Sequence, residues 1–213
     1  MREPTELLVA TNNAGKVREL SLLLADLPVR LRLLSELGVI PEAEETGKTF
    51  AENATLKALH YSALGRMLTL SDDSGLAVDA LGGAPGVYSA RYAGPHATYA
   101  ERMRKLLDEL AATEDDERRA RFICVIAVAD PSAGELRTFE GTCEGRIARE
   151  PRGNGGFGYD PIFIPDGFDQ TFGELPDEVK RSVSHRARAL ARAARHLRTR
   201  LTTPGLTPER NGL

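Results

Sequence analysis

The 213-residue sequence predicts an α/β fold on a mixed sheet. Short apolar runs alternate with helical patterns along the chain, the arrangement of strands followed by crossover helices. Residues 121–129 form a nearly unbroken apolar segment suited to the centre of a sheet. Pro131-Ser132-Ala133-Gly134 then turns the chain into an alternating segment, which suits an antiparallel neighbour.

In chain order, Leu7-Leu8-Val9-Ala10 reads as a buried strand that breaks at the polar turn Thr11-Asn12-Asn13-Ala14-Gly15-Lys16. A helix follows with Val17, Leu20, Leu23, Leu24 and Leu27 on its apolar face, and residues 29–33 alternate as a half-exposed strand does. Thr49-Phe50-Ala51-Glu52 has capping-box spacing and predicts a helix over 50–64. Residues 67–70 read as a buried strand ending at Ser71-Asp72-Asp73-Ser74-Gly75, where a bend is expected before residues 76–78 resume. Gly82-Gly83-Ala84-Pro85-Gly86 is a loop, and residues 99–110 are helical by period. Ser184 is placed to cap a last helix whose inward residues are Ala187, Leu190, Ala191, Ala194, Leu197 and Leu201.

The composition, 41% hydrophobic and 28% charged with no tryptophan, is that of a soluble globular chain. It is long enough for one sizeable domain, expected over 1–201, with a loose tail over 202–213. No run is long enough to span a bilayer and no secretory signal precedes the first strand, so cytoplasm is expected. Two cysteines, Cys124 and Cys143, are too few for a disulfide scaffold and read as buried thiols. The net charge of −3 conceals a basic segment from Lys180 to Arg200, with eight Lys or Arg and no acid. Arg188, Arg192, Arg195, Arg198 and Arg200 fall on its polar face, where solvation is expected; binding of nucleic acid there is disfavoured by the absence of aromatics.

Three groups of residues point to chemistry. Gly155-Gly156-Phe157-Gly158-Tyr159-Asp160-Pro161 sets an aromatic ring between glycines with an acid three residues on. Phe157 then either offers its face to a flat base or plugs the core. Asp72 and Asp73 repel one another, which suggests a nearby cation, and with Glu44 and Glu45 ahead of a helix they form an oxygen-donor set suited to Mg²⁺ and a phosphorylated substrate; a solvated turn is the alternative. Lys16, at a strand-to-helix turn that is not a Walker A loop, is placed to hold a phosphate as a point charge. His185 and Arg186 at the start of the last helix supply donors for an acceptor-rich ligand.

Thr11-x-Asn13-x-x-Lys16, Glu45-Thr46-Gly47-x-Thr49-Phe50-x-Glu52-Asn53, Asp72-Asp73-Ser74-Gly75-Leu76, Ser89-Ala90-Arg91-Tyr92, Phe157-Gly158-Tyr159-Asp160-Pro161 and Ser184-His185-Arg186, in this order, resemble the inosine/xanthosine triphosphate pyrophosphatase family. The resemblance implies a long mixed sheet flanked by helices, two lobes around a nucleotide cleft, Mg²⁺, a homodimer, and hydrolysis of ITP, dITP or XTP to the monophosphate and pyrophosphate. By motif it places Thr11, Asn12, Asn13, Ala14, Gly15 and Lys16 on the triphosphate, with Ser74 contacting phosphate. Asp73 becomes the metal-linked catalytic acid or base, and Glu44 or Glu45 a further metal ligand. Phe157 stacks on the purine, Gly158 and Tyr159 are substrate-binding neighbours, and Asp160, Lys180, His185 and Arg186 complete the nucleoside pocket. Other base specificities, or a nucleic-acid-binding module using the basic helix, are the competing readings.

Overall fold

The computed structural model describes residues 4–202. Six strands, β1 (Thr5–Val9), β2 (Val29–Leu33), β3 (Leu68–Val78), β4 (Arg119–Asp130), β5 (Glu135–Ile147) and β6 (Phe163–Pro165), form one sheet in the order β2-β1-β3-β4-β5-β6. Among the described residues, five α-helices accompany them: α1 (Ala14–Leu24), α2 (Phe50–Gly65), α3 (Tyr99–Glu109), α4 (Asp177–Val183) and α5 (His185–Thr202). β1 runs parallel to both neighbours, with Leu7 opposite Leu31 and Leu68, whereas β6 pairs antiparallel with β5, Ile147 opposite Phe163. The sheet is therefore mixed, as the sequence predicts. Leu7, Leu8 and Val9 are buried, the pattern of a parallel strand covered on both faces. No helix of the described residues is long and apolar enough to cross a membrane.

The chain divides into two compact units. The first takes in the chain up to Asp73, Val125–Glu140 and the chain from Ala189 onward; the second takes in Ser74–Cys124 and Gly141–Arg188. In the first, Leu8, Ala10, Leu34 and Tyr61 make one apolar cluster, and Ala54 and Ala58 of α2 pack with Val125, Ala127 and Ala129 of β4 in another. Small residues on both elements let this helix lie close to the strand. In the second, Leu76, Leu106, Phe122, Ile147, Tyr159, Phe163 and Phe172 form a larger, aromatic core. Fully buried leucines such as Leu76 and Leu106 each contribute roughly 2 kcal/mol by leaving water.

Several local expectations hold for the reasons given. Thr49 and Glu52 make the expected reciprocal capping box of α2, and α1 has a cap the sequence reading did not name, Asn13 accepting from Lys16 N. Ser184 Oγ accepts from Ala187 N at 3.2 Å at the start of α5. Neither cysteine forms a disulfide and both are buried, and burial pushes the Cys143 thiol up to about 11, which keeps it from acting as a thiolate near neutral pH.

Other expectations need correction. No bend occurs at Ser74-Gly75: β3 runs unbroken through Asp72 and Asp73, both buried, because each carboxylate finds a cation inside the fold and needs no solvated turn. On α5, Ala193 is buried and Ala191 is exposed, the reverse of the expected face for the latter. Arg200 does not stay on a solvated face; it is largely buried and pairs with Asp130 and, at 3.1 Å, with Glu135. Arg188 and Arg192, by contrast, are exposed as expected, and donate to the carbonyls of Thr142 and Glu140 on β5. α4 and the short edge strand β6 lie in segments where periodicity is too brief to register. Thr202 closes α5, and the tail expected over the residues beyond it lies outside the described residues.

Candidate active site

In the first unit, the buried strand β3 and the first turns of α2 create a charged group. Asp72 and Asp73 occupy consecutive strand positions, so their side chains leave on opposite sides. Each meets a different lysine. Lys16 Nζ, on the first turn of α1, lies 3.0 Å from Asp72 Oδ2, and Lys57 Nζ of α2 lies 3.1 Å from Asp73 Oδ1. Lys57 also reaches Glu45 Oε1 at 3.0 Å, and Asn53, one helical turn before it, donates from Nδ2 to Asp73 Oδ2 at 3.3 Å.

The segment carrying Glu45 is held in place by Gly47. Its N–H donates to Asn53 Oδ1 at 2.8 Å, and a Cβ on Gly47 would stand 2.6 Å from the Glu52 Cβ, so only glycine fits. Tyr61 Oη accepts from Ala43 N at 3.2 Å and ties down the same segment further back. Burial raises the proton affinity of the Asp73 carboxyl, and Lys57 and Lys16 pull it back only in part. For Lys57, burial works against the charge, but Asp73, Asp72 and Glu45 outweigh it and hold the ammonium protonated. The group is thus a buried carboxylate with raised basicity beside fixed cations.

The turn leading into α1 is organised by its own side chains. Thr11 Oγ1 accepts from Asn13 N at 3.2 Å and Asn13 Oδ1 accepts from Lys16 N at 3.1 Å, while Asn12 and Ala14 face outward and Gly15 is half-buried. Strand, polar turn and helix N-terminus together orient N–H groups toward an anion.

In the second unit, a different group forms around Phe157. Asp160 folds back so that its Oδ2 accepts from Phe157 N at 2.7 Å and from Lys180 Nζ at 2.6 Å. Gly156 permits this turn, having φ +68° and room for the carboxylate where a Cβ would come within 2.1 Å of it. Lys180 Nζ stands 4.6 Å from the Phe157 ring centroid and Arg186 Cζ 5.5 Å, so two cations attend one ring. Arg186, almost wholly buried, donates from Nη2 to Ser74 Oγ at 2.9 Å. His185 is buried and stacks on Phe122 with centroids 4.7 Å apart.

The structure therefore brings together Lys16, Glu45 and Asp73 in one unit, and Ser74, Phe157, Asp160, Lys180 and Arg186 in the other. Phe157 is half-buried and stands outside the apolar core; the core position in that motif belongs to Tyr159, whose Oη donates to Ser89 O at 2.9 Å. Of the two glutamates, Glu45 reaches the charged group through Lys57 and Glu44 is exposed beside it. Sequence reasoning missed the parts of Lys57 and Asn53. Their signal was present: they sit four apart on the same inward face as Ala54, Ala58 and Tyr61, where a polar side chain needs a partner.

Among the described residues, no three or more of His, Cys, Asp and Glu gather to hold a metal ion by themselves. Yet Glu45 and Asp73, from separate segments, direct carboxylate oxygens at one cationic point. Two hard carboxylates completed by phosphate oxygens and water make a set that a divalent cation of the Mg²⁺ type accepts, so the donor chemistry fits.

Residues 7–196 match the Ham1 family. A dITP/XTP pyrophosphatase of Desulfotalea psychrophila is 51% identical over 185 residues, 87% of this chain and 82% of that protein. A dITP/XTP pyrophosphatase of Bacillus licheniformis is 48% identical over 185 residues, 87% of this chain and 94% of that one. The solved structure of a HAM1 protein from Coxiella burnetii has a TM-score of 0.83 at 44% identity, covering 91% of this chain and 98% of its own. With the match running through β1, both charged and aromatic groups and most of α5, the chain belongs to the Ham1 family.

Proposed function

We propose that this protein is a nucleoside triphosphate pyrophosphohydrolase that converts deaminated purine nucleotides, ITP, dITP and XTP, to the monophosphate and pyrophosphate. The observation that carries the reading is Asp73, a buried carboxylate of raised basicity between Lys57 and Asn53, in a chain about half identical to dITP/XTP pyrophosphatases. The Thr11–Lys16 turn and Lys16 bind the triphosphate through N–H groups and a point charge. Asp73 orients a water and takes its proton as the oxygen attacks the α-phosphorus; the bond from that phosphorus to the bridging oxygen breaks and pyrophosphate leaves. Lys57 keeps Asp73 ionised and ready to accept that proton. Glu45 and Asp73 would hold Mg²⁺, which when bound supplies neutralisation of phosphate charge.

Phe157 stacks on the purine, and Arg186 donates to the O6 acceptor of hypoxanthine or xanthine, where adenine presents a donor amine. Facing one donor with another costs roughly 1–3 kcal/mol per unsatisfied group, tens-fold or more against ATP. Asp160 and Lys180 fix the Phe157 turn. A role in cleansing the nucleotide pool fits a cytoplasmic enzyme, and a homodimer is the expected assembly. Pyrophosphate release from ITP, XTP, dITP, GTP and ATP, compared at equal concentration with and without Mg²⁺, tests the reading. Strong preference for the first three is expected; equal release from all five would remove the base specificity, and none from any would remove the activity.

A further inference from the structure

Helix α3 begins at the Thr98 capping box, which places Tyr99 and Arg102 one turn apart on the same inward face. Arg102 is only 8% exposed, and its buried Nε has no hydrogen-bond acceptor; no carboxylate pairs with it among the described residues. Its guanidinium instead lies over the Tyr99 ring, 4.7 Å from the centroid. Burying a guanidinium without a carboxylate beside it costs the fold stability that an apolar side chain of similar length would spare. Packing alone does not account for it.

What the stacked ring touches suggests the reason. Tyr99 meets Tyr159 edge-on, centroids 6.0 Å apart at 83°, and its Cε1 lies 3.5 Å from where a Cβ on Gly158 would stand. Gly158 and Tyr159 directly follow Phe157, and Tyr159 Oη is anchored on Ser89 O. The turn before them is fixed by Asp160. Tyr99 is therefore the surface against which the other side of this segment rests, and Arg102 holds that surface by a cation–π contact with little water nearby.

We propose that Arg102 is a positioning residue for the Phe157 segment, acting through Tyr99 to set the aim of the ring. The inference rests on the reading of Phe157 as the platform for the base. Full-length Arg102→Met and Arg102→Lys proteins, compared with wild type, test it by steady-state kinetics with ITP, melting temperature, and hydrogen exchange of the amides of residues 156–159. Arg102→Met is expected to raise KM about fivefold with kcat within roughly twofold, to exchange faster at 156–159, and to melt at the same temperature or higher. Arg102→Lys, which keeps a cation over the ring, is expected to recover most of the KM and the exchange protection. Unchanged KM and exchange in Arg102→Met would overturn the proposal, as would a fall in melting temperature with exchange accelerated throughout the unit, the mark of a merely structural strut. If wild-type protein releases no pyrophosphate from ITP, dITP or XTP, the functional reading fails, whereas local exchange at 156–159 still decides the part played by Arg102.

Discussion

The charged group around Asp73 and the aromatic group around Phe157 manage burial in opposite ways. Around Asp73, each buried carboxylate has its own lysine: Asp72 with Lys16, Asp73 with Lys57. Around Phe157, Lys180 pairs with Asp160, and both Lys180 and Arg186 also lie against the ring face. The first arrangement fixes charges at points and suits proton transfer and phosphate binding. The second combines a flat apolar face with donors and suits recognition of a base. Removing a charge should therefore affect turnover in one group and selectivity in the other.

The largest effect is expected for Asp73→Asn, which keeps the shape and removes the proton acceptor. Turnover should fall by about 10²–10⁴-fold with the melting temperature nearly preserved, measured by pyrophosphate release and thermal unfolding. Near-normal kcat would take Asp73 out of the chemistry. Lys57→Met should come next, because it leaves Asp73 and Glu45 facing one another without the ammonium. Loss of about 3 kcal/mol in denaturant unfolding is expected alongside reduced kcat, since a buried charge is left uncompensated. Stability unchanged by this substitution would mean that water, not Lys57, balances the carboxylates.

The aromatic group should respond more mildly and in KM. Phe157→Ala should raise KM for ITP about tenfold, from the loss of one base–aromatic stack, with a small change in melting temperature because the ring is half-exposed. A large drop in melting temperature with unchanged KM would return Phe157 to the role of core plug. Smallest in catalytic terms, Arg186→Ala should narrow the preference for ITP over ATP about tenfold, read as the ratio of kcat/KM values. Equal weakening of both substrates would assign Arg186 to Ser74 and the phosphates instead of the base.

Much of the fold was legible because its signals are local. The Thr49–Glu52 capping box, the Ser184 cap and the apolar run of β4 each depend on residues within a few positions of one another. α4 and β6, seven and three residues long, were not legible, since neither completes enough turns or alternations to show a period. Asp72-Asp73-Ser74-Gly75 misled because the residue types that make a good turn also serve in a strand whose charges are met from elsewhere in the chain. In the site, the order of motifs singles out Lys16, Asp73, Phe157 and Arg186 as candidates. It did not single out Lys57, which looks like any helical lysine until Glu45 and Asp73 are seen around it.

Residue order was thus sufficient for the α/β class, the capped helices, the buried strands and the types of group available for chemistry, all of which follow from backbone propensity and the period of apolar side chains. Folding alone chose which lysine meets which carboxylate, that Glu45 and not Glu44 reaches the cation, that Tyr159 enters the core while Phe157 stays at its edge, and that Arg102 rests on Tyr99. The ion pairs among these choices join residues from 12 to 56 positions apart (57 − 45 and 72 − 16), and even where a local period sets neighbours side by side, burial and desolvation decide which contact forms.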